Sequence, residues 1–270
     1  MNPKLRLLLG TSALLVAAHP AHPAHAAERH FGFSYESAVL NPGTTELLPW
    51  TTVRAGRADY YSETDARLAF VYGIAKNLEG ALYWNLSTVA EDRLIPPATQ
   101  KTRLNDSNFD SFSLHLKYKL SDPVADALGS ALYLEGSFGP LVASAEGRVI
   151  LDKQFGGLLL AANLVALGTE QLELRSESRV ALAAVAAAGY FVTPTFVPSL
   201  ELRSENGVSK QLDRSVLYFG PSLSVVTEGF WTTLAIQPQI TAFKGKTPGH
   251  DFELTQNERL QVRLLLGFPI

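Results

Sequence analysis

The chain has 270 residues, of which 46% are hydrophobic and 18% charged, and its sequence contains no cysteine. This composition is typical of a folded protein, and the lack of cysteine excludes a disulfide framework, a thiolate metal site and a thiol nucleophile. The formal net charge of −3 excludes the strongly basic field that nucleic-acid binding needs, so we expect no nucleic-acid partner.

The first 26 residues have the layout of an export signal. Lys4 and Arg6 give the start a positive charge, residues 7–18 are mostly apolar, and small residues and prolines follow. The triplet Ala24-His25-Ala26 fits the small-x-small rule for cleavage, so we expect a signal peptide over residues 1–26. The apolar run of about 12 residues is shorter than the roughly 20 that a spanning helix needs.

Residues 27–45 form the next segment. They contain one strand-like stretch, 31–40, which ends at the turn sequence Asn41-Pro42-Gly43. Because twelve further strands are predicted after it, this stretch would be a thirteenth, whereas single-chain bacterial barrels have an even number of strands. We therefore expect that it does not span a membrane but lies at the periplasmic mouth of a barrel or inside its lumen.

Residues 46–270 alternate between apolar and polar side chains along segments of about ten residues. The clearest segment is 109–120, where every even-numbered residue from Phe112 to Leu120 is apolar or aromatic and the opposite face carries His115. A period of two places each set on one side of a strand. After an export signal, this pattern predicts an all-β, antiparallel transmembrane barrel; an exported soluble β-protein is the alternative, because it alternates too.

The pattern predicts twelve strands with short turns at one rim and longer loops at the other. The predicted strands cover 46–55, 66–75, 79–90, 109–120, 130–138, 144–153, 157–170, 179–191, 197–205, 214–226, 230–242 and 258–269, and the long loops cover 56–65, 91–108, 206–213 and 244–253. Bacterial barrels place short turns in the periplasm and long loops outside the cell. Aromatic residues near the strand ends predict interfacial girdles: Trp50, Tyr60, Tyr61, Tyr83, Trp84, Tyr190, Phe191, Phe196, Phe230, Trp231, Phe243 and Phe268.

The inward face is where a barrel tolerates charge, because an outward Arg or Lys at the bilayer midplane costs about 2–4 kcal/mol. By alternation, the residues expected to line the lumen are Glu46, Arg54, Arg67, Tyr83, Asn85, His115, Lys117, Glu135, Glu146, Arg148, Glu201, Arg203, Gln239 and Arg263. Both signs of charge are mixed, which predicts no strong ion selectivity. The favoured hypothesis is a channel that small solutes cross by diffusion; a lumen filled by Arg–Glu pairs would instead make a plugged structural barrel.

A catalytic alternative depends on Ser113 and His115. They lie two residues apart on one predicted strand and share a face, as the hydroxyl and imidazole of a lipid-active hydrolase would. A polar stretch of lumen explains the same pattern, since Lys117 shares that face. We expect the protein not to be an enzyme, and with no cofactor or metal motif in the sequence we expect neither a cofactor nor a metal.

Particular strand and turn motifs resemble a known family. They are the stretches from Phe31 to Tyr35 and from Asn41 to Glu46, residues Trp50, Thr52 and Arg54, the stretches from Ala81 to Tyr83 and from Tyr218 to Pro221, residues Trp231 and Gln239, and Gly267-Phe268. In these motifs the chain resembles an uncharacterised proteobacterial family of outer-membrane β-barrels with a domain of unknown function, similar in layout to outer-membrane transporters assigned to the phenol meta-pathway.

The resemblance implies a compartment and partners. It implies the outer membrane of a Gram-negative bacterium, contact with outer-membrane lipid and lipopolysaccharide, insertion by the barrel assembly machinery, and a small solute whose identity the motifs do not reveal. One departure concerns the end of the chain, Phe268-Pro269-Ile270, where such barrels usually end in an aromatic residue.

Overall fold

The structure is a computed structural model that describes residues 28–94, 100–172, 178–209 and 211–270. The predicted signal peptide, residues 1–26, therefore lies outside the described residues. Within these four ranges, no helix is long and apolar enough to cross a membrane.

Twelve antiparallel strands form one closed barrel, in which consecutive strands pair and β1 pairs with β12. The strands are β1 (Thr45–Ala55), β2 (Tyr61–Ala75), β3 (Leu78–Leu94), β4 (Lys101–Ser121), β5 (Gly129–Phe138), β6 (Val142–Phe155), β7 (Leu158–Gln171), β8 (Ser178–Tyr190), β9 (Phe196–Val208), β10 (Leu212–Val226), β11 (Trp231–Lys244) and β12 (Leu260–Pro269). The predicted fold class, an all-β antiparallel barrel of twelve strands, is confirmed.

The two faces of the barrel wall differ as the alternation predicts. On β3, Leu82, Trp84 and Leu86 point outward and are 46–56% exposed, whereas Tyr83 and Asn85 are buried in the interior. The same alternation recurs around the barrel and leaves an apolar outer surface. An apolar outer surface is stable in contact with lipid and unfavourable in contact with water. The fold is therefore that of a transmembrane barrel rather than an exported soluble β-protein.

The two rims differ in their connections. The short-turn rim carries the connections after β2, β4, β6, β8 and β10, the start of β1 and the end of β12, and the long-loop rim carries the other six connections. The lengths depart from the prediction at two places, because the connection after β4 has seven residues and the one after β5 has three. The connection after β6 needs only two residues, Gly156 and Gly157, and Gly156 has a positive φ of 56°, which favours glycine. The connection after β11, residues 245–259, is longer than the predicted loop over 244–253 because β12 begins at Leu260.

Three other predicted loops are wrong in extent, because strands cover half of 56–65, more than half of 206–213 and nearly all of the described parts of 91–108. Polar pairs between β3 and β4 stabilise the parts of these two strands that extend beyond the predicted bounds. The hydroxyls of Thr88 and Ser107 lie 3.2 Å apart, and Nε of Arg103 donates to Asp92 at 2.7 Å. Such polar pairs leave no apolar alternation, which is why the sequence pattern missed these ends.

The predicted aromatic girdle is also wrong in part. Trp50, Tyr61, Tyr83 and Trp231 face inward and are buried, whereas Trp84, Tyr190, Phe243 and Phe268 are exposed on the outer surface. Trp231 fits inside because Gly267 of β12 lies opposite; a Cβ at Gly267 would come 2.1 Å from Trp231 Nε1. Interior aromatic residues therefore fill space beside small residues and do not mark the membrane interface.

Candidate functional site: the barrel lumen

The predicted lumen residues lie on inward-facing positions of the strands. They are Glu46, Arg54, Arg67, Tyr83, Asn85, His115, Lys117, Glu135, Glu146, Arg148, Glu201, Arg203, Gln239 and Arg263. The structure brings them together in two layers, one near each rim, which differ in what fills the space between the strands.

From the middle of the barrel towards the long-loop rim, arginines pair with carboxylates along the lumen wall. The ion pairs are Arg54 with Asp65, Arg67 with Glu135, Arg148 with Glu146 and Arg203 with Glu205. Several of these side chains keep partial access to solvent, with 25% of Arg54 and 27% of Glu205 exposed. This half of the lumen is therefore polar, locally neutralised and partly solvated.

The half of the lumen towards the short-turn rim is occupied by the plug segment, residues 28–40. Side chains from eight strands (β3, β4, β6, β7, β9, β10, β11 and β12) hydrogen-bond its backbone. Phe31, Ser34 and Ser37 are fully buried. The segment thus crosses the interior of the barrel and fills it, and the chain then turns at Asn41 into β1.

Carboxylate and amide side chains of the wall hold the plug segment by its backbone. Glu201 accepts the N–H groups of Gly32, Phe33 and Ser34 at 2.7, 2.9 and 2.8 Å. Asn163 accepts the N–H of Tyr35 at 2.6 Å and donates to its carbonyl at 2.9 Å. These are side-chain bonds, so the plug segment is held without joining the sheet.

Asp152 and Glu79 extend the same arrangement. Asp152 accepts the N–H of Ser37 at 3.0 Å, and Glu79 accepts that of Leu40 at 2.8 Å. Ser34 keeps a buried hydroxyl that has no hydrogen-bond partner among the described residues. The contact between plug segment and wall therefore combines these polar bonds with apolar packing, in which Phe31 lies against Leu159 and Tyr35 lies against Tyr133.

Aromatic rings of the plug segment lie between guanidinium groups. The Phe33 ring centroid is 4.3 Å from Cζ of Arg203 and 4.2 Å from Cζ of Arg263, and Arg148 Cζ lies 3.8 Å from the Tyr35 ring centroid. Cation–π contacts of this kind contribute roughly 0.5–2 kcal/mol each. They fix the middle of the plug segment against the wall.

An ion pair closes the plug segment on itself. Glu36 accepts the backbone N–H of His30 at 2.8 Å, and its other oxygen lies 2.8 Å from His30 Nδ1. Burial lowers the pKa of His30, but the charge and hydrogen bond of Glu36 outweigh it and raise that pKa above its ordinary value. Burial raises the pKa of Glu36, but His30 and then Lys117 lower it overall. Each partner therefore favours the charged form of the other.

The β11–β12 loop, residues 245–259, folds over the other mouth of the barrel. Gln239 donates to the carbonyl of Glu253 at 3.0 Å and accepts its N–H at 2.8 Å, and Nε of Arg57 donates to Glu258 at 2.8 Å. Burial raises the pKa of Glu258 although Arg57 opposes the shift. Gln239 therefore anchors this loop rather than facing open solvent.

Ser113 and His115 do not form a catalytic pair in this arrangement. Ser113 Oγ accepts from Asn85 at 2.7 Å and lies 2.7 Å from Ser137 Oγ, and His115 Nδ1 bonds the hydroxyl of Tyr83 at 2.6 Å. Both side chains are buried inside the barrel, away from the lipid-facing surface. In the part of the chain that the structure describes, no group of three or more His, Asp or Glu side chains is placed to hold a metal ion.

Several lumen residues escaped the sequence reasoning. Asp65 lies in the predicted loop 56–65. Asp152 and Asn163 lie on predicted strands but were not among the predicted lumen residues, and Arg29 precedes the strand-like stretch 31–40. The signal for Asn163 was present, because it is a polar residue at an inward position between Ala161 and Val165. Alternation therefore identifies such residues once it is known which alternate residues of each strand face the lumen.

Two comparisons relate this barrel to known proteins. The sequence model of a family of unknown function, DUF6662, matches residues 23–161, just over half of the chain. The chain belongs to this family. No curated protein sequence matches the chain.

Solved structures share the fold of this DUF6662 member. An outer-membrane channel of the COG4313 group from Pseudomonas putida F1 is similar with a TM-score of 0.62 and 13% identity, over 90% of this chain and 100% of that one. The NanC porin is similar with a TM-score of 0.53 and 11% identity, over 83% and 100%. At these identities the similarity shows the fold, in agreement with the resemblance found in the sequence.

Proposed function

We propose that this DUF6662 protein is a channel of the bacterial outer membrane, through which small polar solutes diffuse when the plug segment moves. The observation that carries the proposal is the lumen itself. Its long-loop half is polar and partly solvated, and its short-turn half is filled by a chain segment that side-chain hydrogen bonds hold in place.

The geometry supports movement of the plug segment as the step that opens the channel. Its backbone bonds go to side chains such as Glu201 and Asp152, which water replaces more easily than the ladder of a β-sheet. The buried hydroxyl of Ser34 has no hydrogen-bond partner in the described part of the chain, so this group loses no protein bond when the segment leaves. The wall, by contrast, is a closed ladder with no edge to open.

The fold and the outer surface support an outer-membrane location. The apolar outer belt suits a bilayer, and of the two solved structures named above one is an outer-membrane channel and the other a porin. In this proposal the signal peptide over 1–26 directs export, the short-turn rim faces the periplasm, and the barrel assembly machinery inserts the chain beside outer-membrane lipid and lipopolysaccharide.

The proposal assigns no catalysis to Ser113 or His115. A nucleophilic serine needs a base within hydrogen-bond reach, and here each side chain is bonded to other partners. In the channel these two residues are part of the polar wall.

The test uses planar-bilayer conductance of the refolded protein without its signal peptide, with unheated gel mobility as the check that a barrel has formed. Because the chain has no native cysteine, a Ser37→Cys/Asp152→Cys variant places a unique thiol pair between plug segment and wall. We expect discrete openings that disappear when a short, cleavable bis-thiol cross-linker joins the pair and return after cleavage.

A variant lacking residues 28–40 distinguishes a channel from a structural barrel. We expect it to conduct continuously while keeping the gel mobility of a folded barrel. If this folded variant does not conduct, the protein is a structural barrel and not a channel. If cross-linking leaves the conductance unchanged, solutes pass without movement of the plug segment.

A further inference from the structure

Two arginines in the lumen lack the carboxylate partner that the others have. Arg54, Arg67, Arg148 and Arg203 each form an ion pair. Arg29 of the plug segment and Arg263 of β12 form none within 4.0 Å among the described residues. Three further arginines, Arg203, Arg54 and Arg29, lie close enough to repel Arg263.

These two guanidinium groups converge on one atom. Arg29 donates from Nη2 to the carbonyl oxygen of Gly32 at 3.4 Å, and Arg263 donates from Nη1 to the same oxygen at 3.2 Å. Like charges so close repel each other. The shared carbonyl and the aromatic rings of Phe33 and Tyr35 offset this repulsion in part, but they supply no negative charge. The arrangement is therefore a local positive centre inside a lumen whose other arginines are neutralised.

Both groups keep unused donors. Nε of Arg29 is buried and has no hydrogen-bond partner among the described residues. Arg263 uses Nε for Thr52 at 2.9 Å and Nη1 for Gly32, so its Nη2 donates to no described residue, and the side chain is partly exposed to the lumen. A guanidinium edge with free N–H groups is the geometry that binds a carboxylate or phosphate oxygen.

An aromatic ring borders the same place. The Trp50 ring centroid lies 5.5 Å from Cζ of Arg29 and 5.4 Å from Cζ of Arg263. A ligand between the two arginines would meet this apolar surface on one side and the partly solvated half of the lumen on the other.

We propose that Arg29 and Arg263 form a binding site for a small oxyanion, a solute carrying a carboxylate or phosphate group, at the junction of plug segment and wall. The oxygen atoms of the bound group accept N–H bonds from both guanidinium groups and neutralise their repulsion. Because Arg29 belongs to the plug segment and Arg263 to the wall, the bound anion bridges the two.

This inference deepens the proposed function by naming the class of solute, and it rests on that function for its role in transport. Binding itself is measured at equilibrium and needs no conduction. A protein that conducts without binding oxyanions refutes the site alone, and one that binds without conducting refutes the channel alone.

The experiment is saturation-transfer NMR of acetate with the refolded protein in detergent, at constant ionic strength set by chloride. We expect a saturable signal from the acetate methyl group in the wild type, which inorganic phosphate displaces. Arg263→Gln and Arg29→Gln keep an amide donor but remove the charge. Each should weaken acetate binding about tenfold or more, because a charge-assisted bond is lost.

The matched control is Arg214→Gln, which removes an arginine at the long-loop rim whose Nη1 bonds Gln256. This variant should bind acetate as the wild type does. No saturable signal in the wild type, equal affinity in Arg263→Gln, or acetate that phosphate does not displace would each overturn the proposal. Unheated gel mobility verifies that every variant is folded.

Discussion

The carboxylate of Glu201 on β9 accepts the backbone N–H of Phe33, 168 positions earlier in the chain, at 2.9 Å. The same carboxylate accepts the neighbouring N–H groups of Gly32 and Ser34, so one side chain satisfies three consecutive donors of the plug segment. Charge-assisted bonds of this kind are about twice as strong as neutral ones. Glu201 is therefore the strongest single attachment of the plug segment to the wall.

Replacing Glu201 by alanine should release the plug segment while leaving the barrel folded. Each buried N–H left without a partner costs about 1–3 kcal/mol, and every 1.4 kcal/mol raises the open population about tenfold. Ser34→Cys supplies a unique thiol at a position that is fully buried when the plug segment is in place. Its labelling by a water-soluble maleimide should become at least about tenfold faster in Glu201→Ala.

Glu63→Ala is the matched control for this change. Glu63 is also a lumen carboxylate, but it bonds Tyr61 and lies near Arg54, away from the plug segment. We expect it to leave the labelling of the Ser34→Cys thiol unchanged. Equal labelling rates in Glu201→Ala and in the unaltered background would show that Glu201 does not hold the segment.

The wall of the barrel was predictable from the sequence, and the filling of its lumen was only partly so. A period of two fixes which side chains face lipid, because lipid rejects polar groups at every second position; Leu82, Trp84 and Leu86 on β3 are examples. The partners of inward residues depend on the register between strands and on the path of the plug segment. The ion pair of Arg67 with Glu135 joins β2 to β5, and no local pattern encodes such a pair.

The position of the plug segment could likewise not be predicted from local pattern. Its alternation is that of a strand, and the prediction that it does not span the membrane depended only on the even number of strands in such barrels. Its observed conformation arises from contacts with residues more than a hundred positions away, such as Asn163 and Glu201. The sequence left two places open for this segment, the periplasmic mouth or the lumen, and the structure shows residues 28–40 inside the lumen.

Gly32→Ala should displace the plug segment by a clash instead of a lost bond. A Cβ at Gly32 would lie 2.3 Å from Cβ of Ala235 on β11, far inside van der Waals contact. The segment must then shift away from β11, so we expect faster maleimide labelling of the Ser34→Cys thiol and more frequent openings in bilayers. Adding Ala235→Gly removes the opposing atom and should restore slow labelling.

Gly168→Ala serves as the control for added volume, because a Cβ there meets no other atom closer than 4.0 Å. It should change neither labelling nor conductance. Failure of Ala235→Gly to rescue Gly32→Ala would mean that the close approach of these two backbones does not position the segment.

The ion pair of His30 with Glu36 should make the position of the plug segment depend on pH. The pKa of His30 is raised above its ordinary 6.5, so the stabilisation it gives is complete below pH 6.5 and is lost as pH rises through the raised value. The pKa of Glu36 is lowered below its ordinary 4.5, so its contribution is present above pH 4.5 and is lost as pH falls through the lowered value. The plug segment should therefore be held most firmly between pH 4.5 and pH 6.5, where both contributions are present in full.

Labelling of the Ser34→Cys thiol, corrected for the intrinsic pH dependence of the maleimide reaction, measures this effect. We expect the corrected rate to rise on the alkaline side, and His30→Gln to abolish that rise because glutamine keeps a hydrogen-bond donor but does not titrate. His250→Gln, in the exposed part of the β11–β12 loop, should retain the wild-type profile. An alkaline rise that persists in His30→Gln would assign it to another group and would exclude the His30–Glu36 pair as its cause.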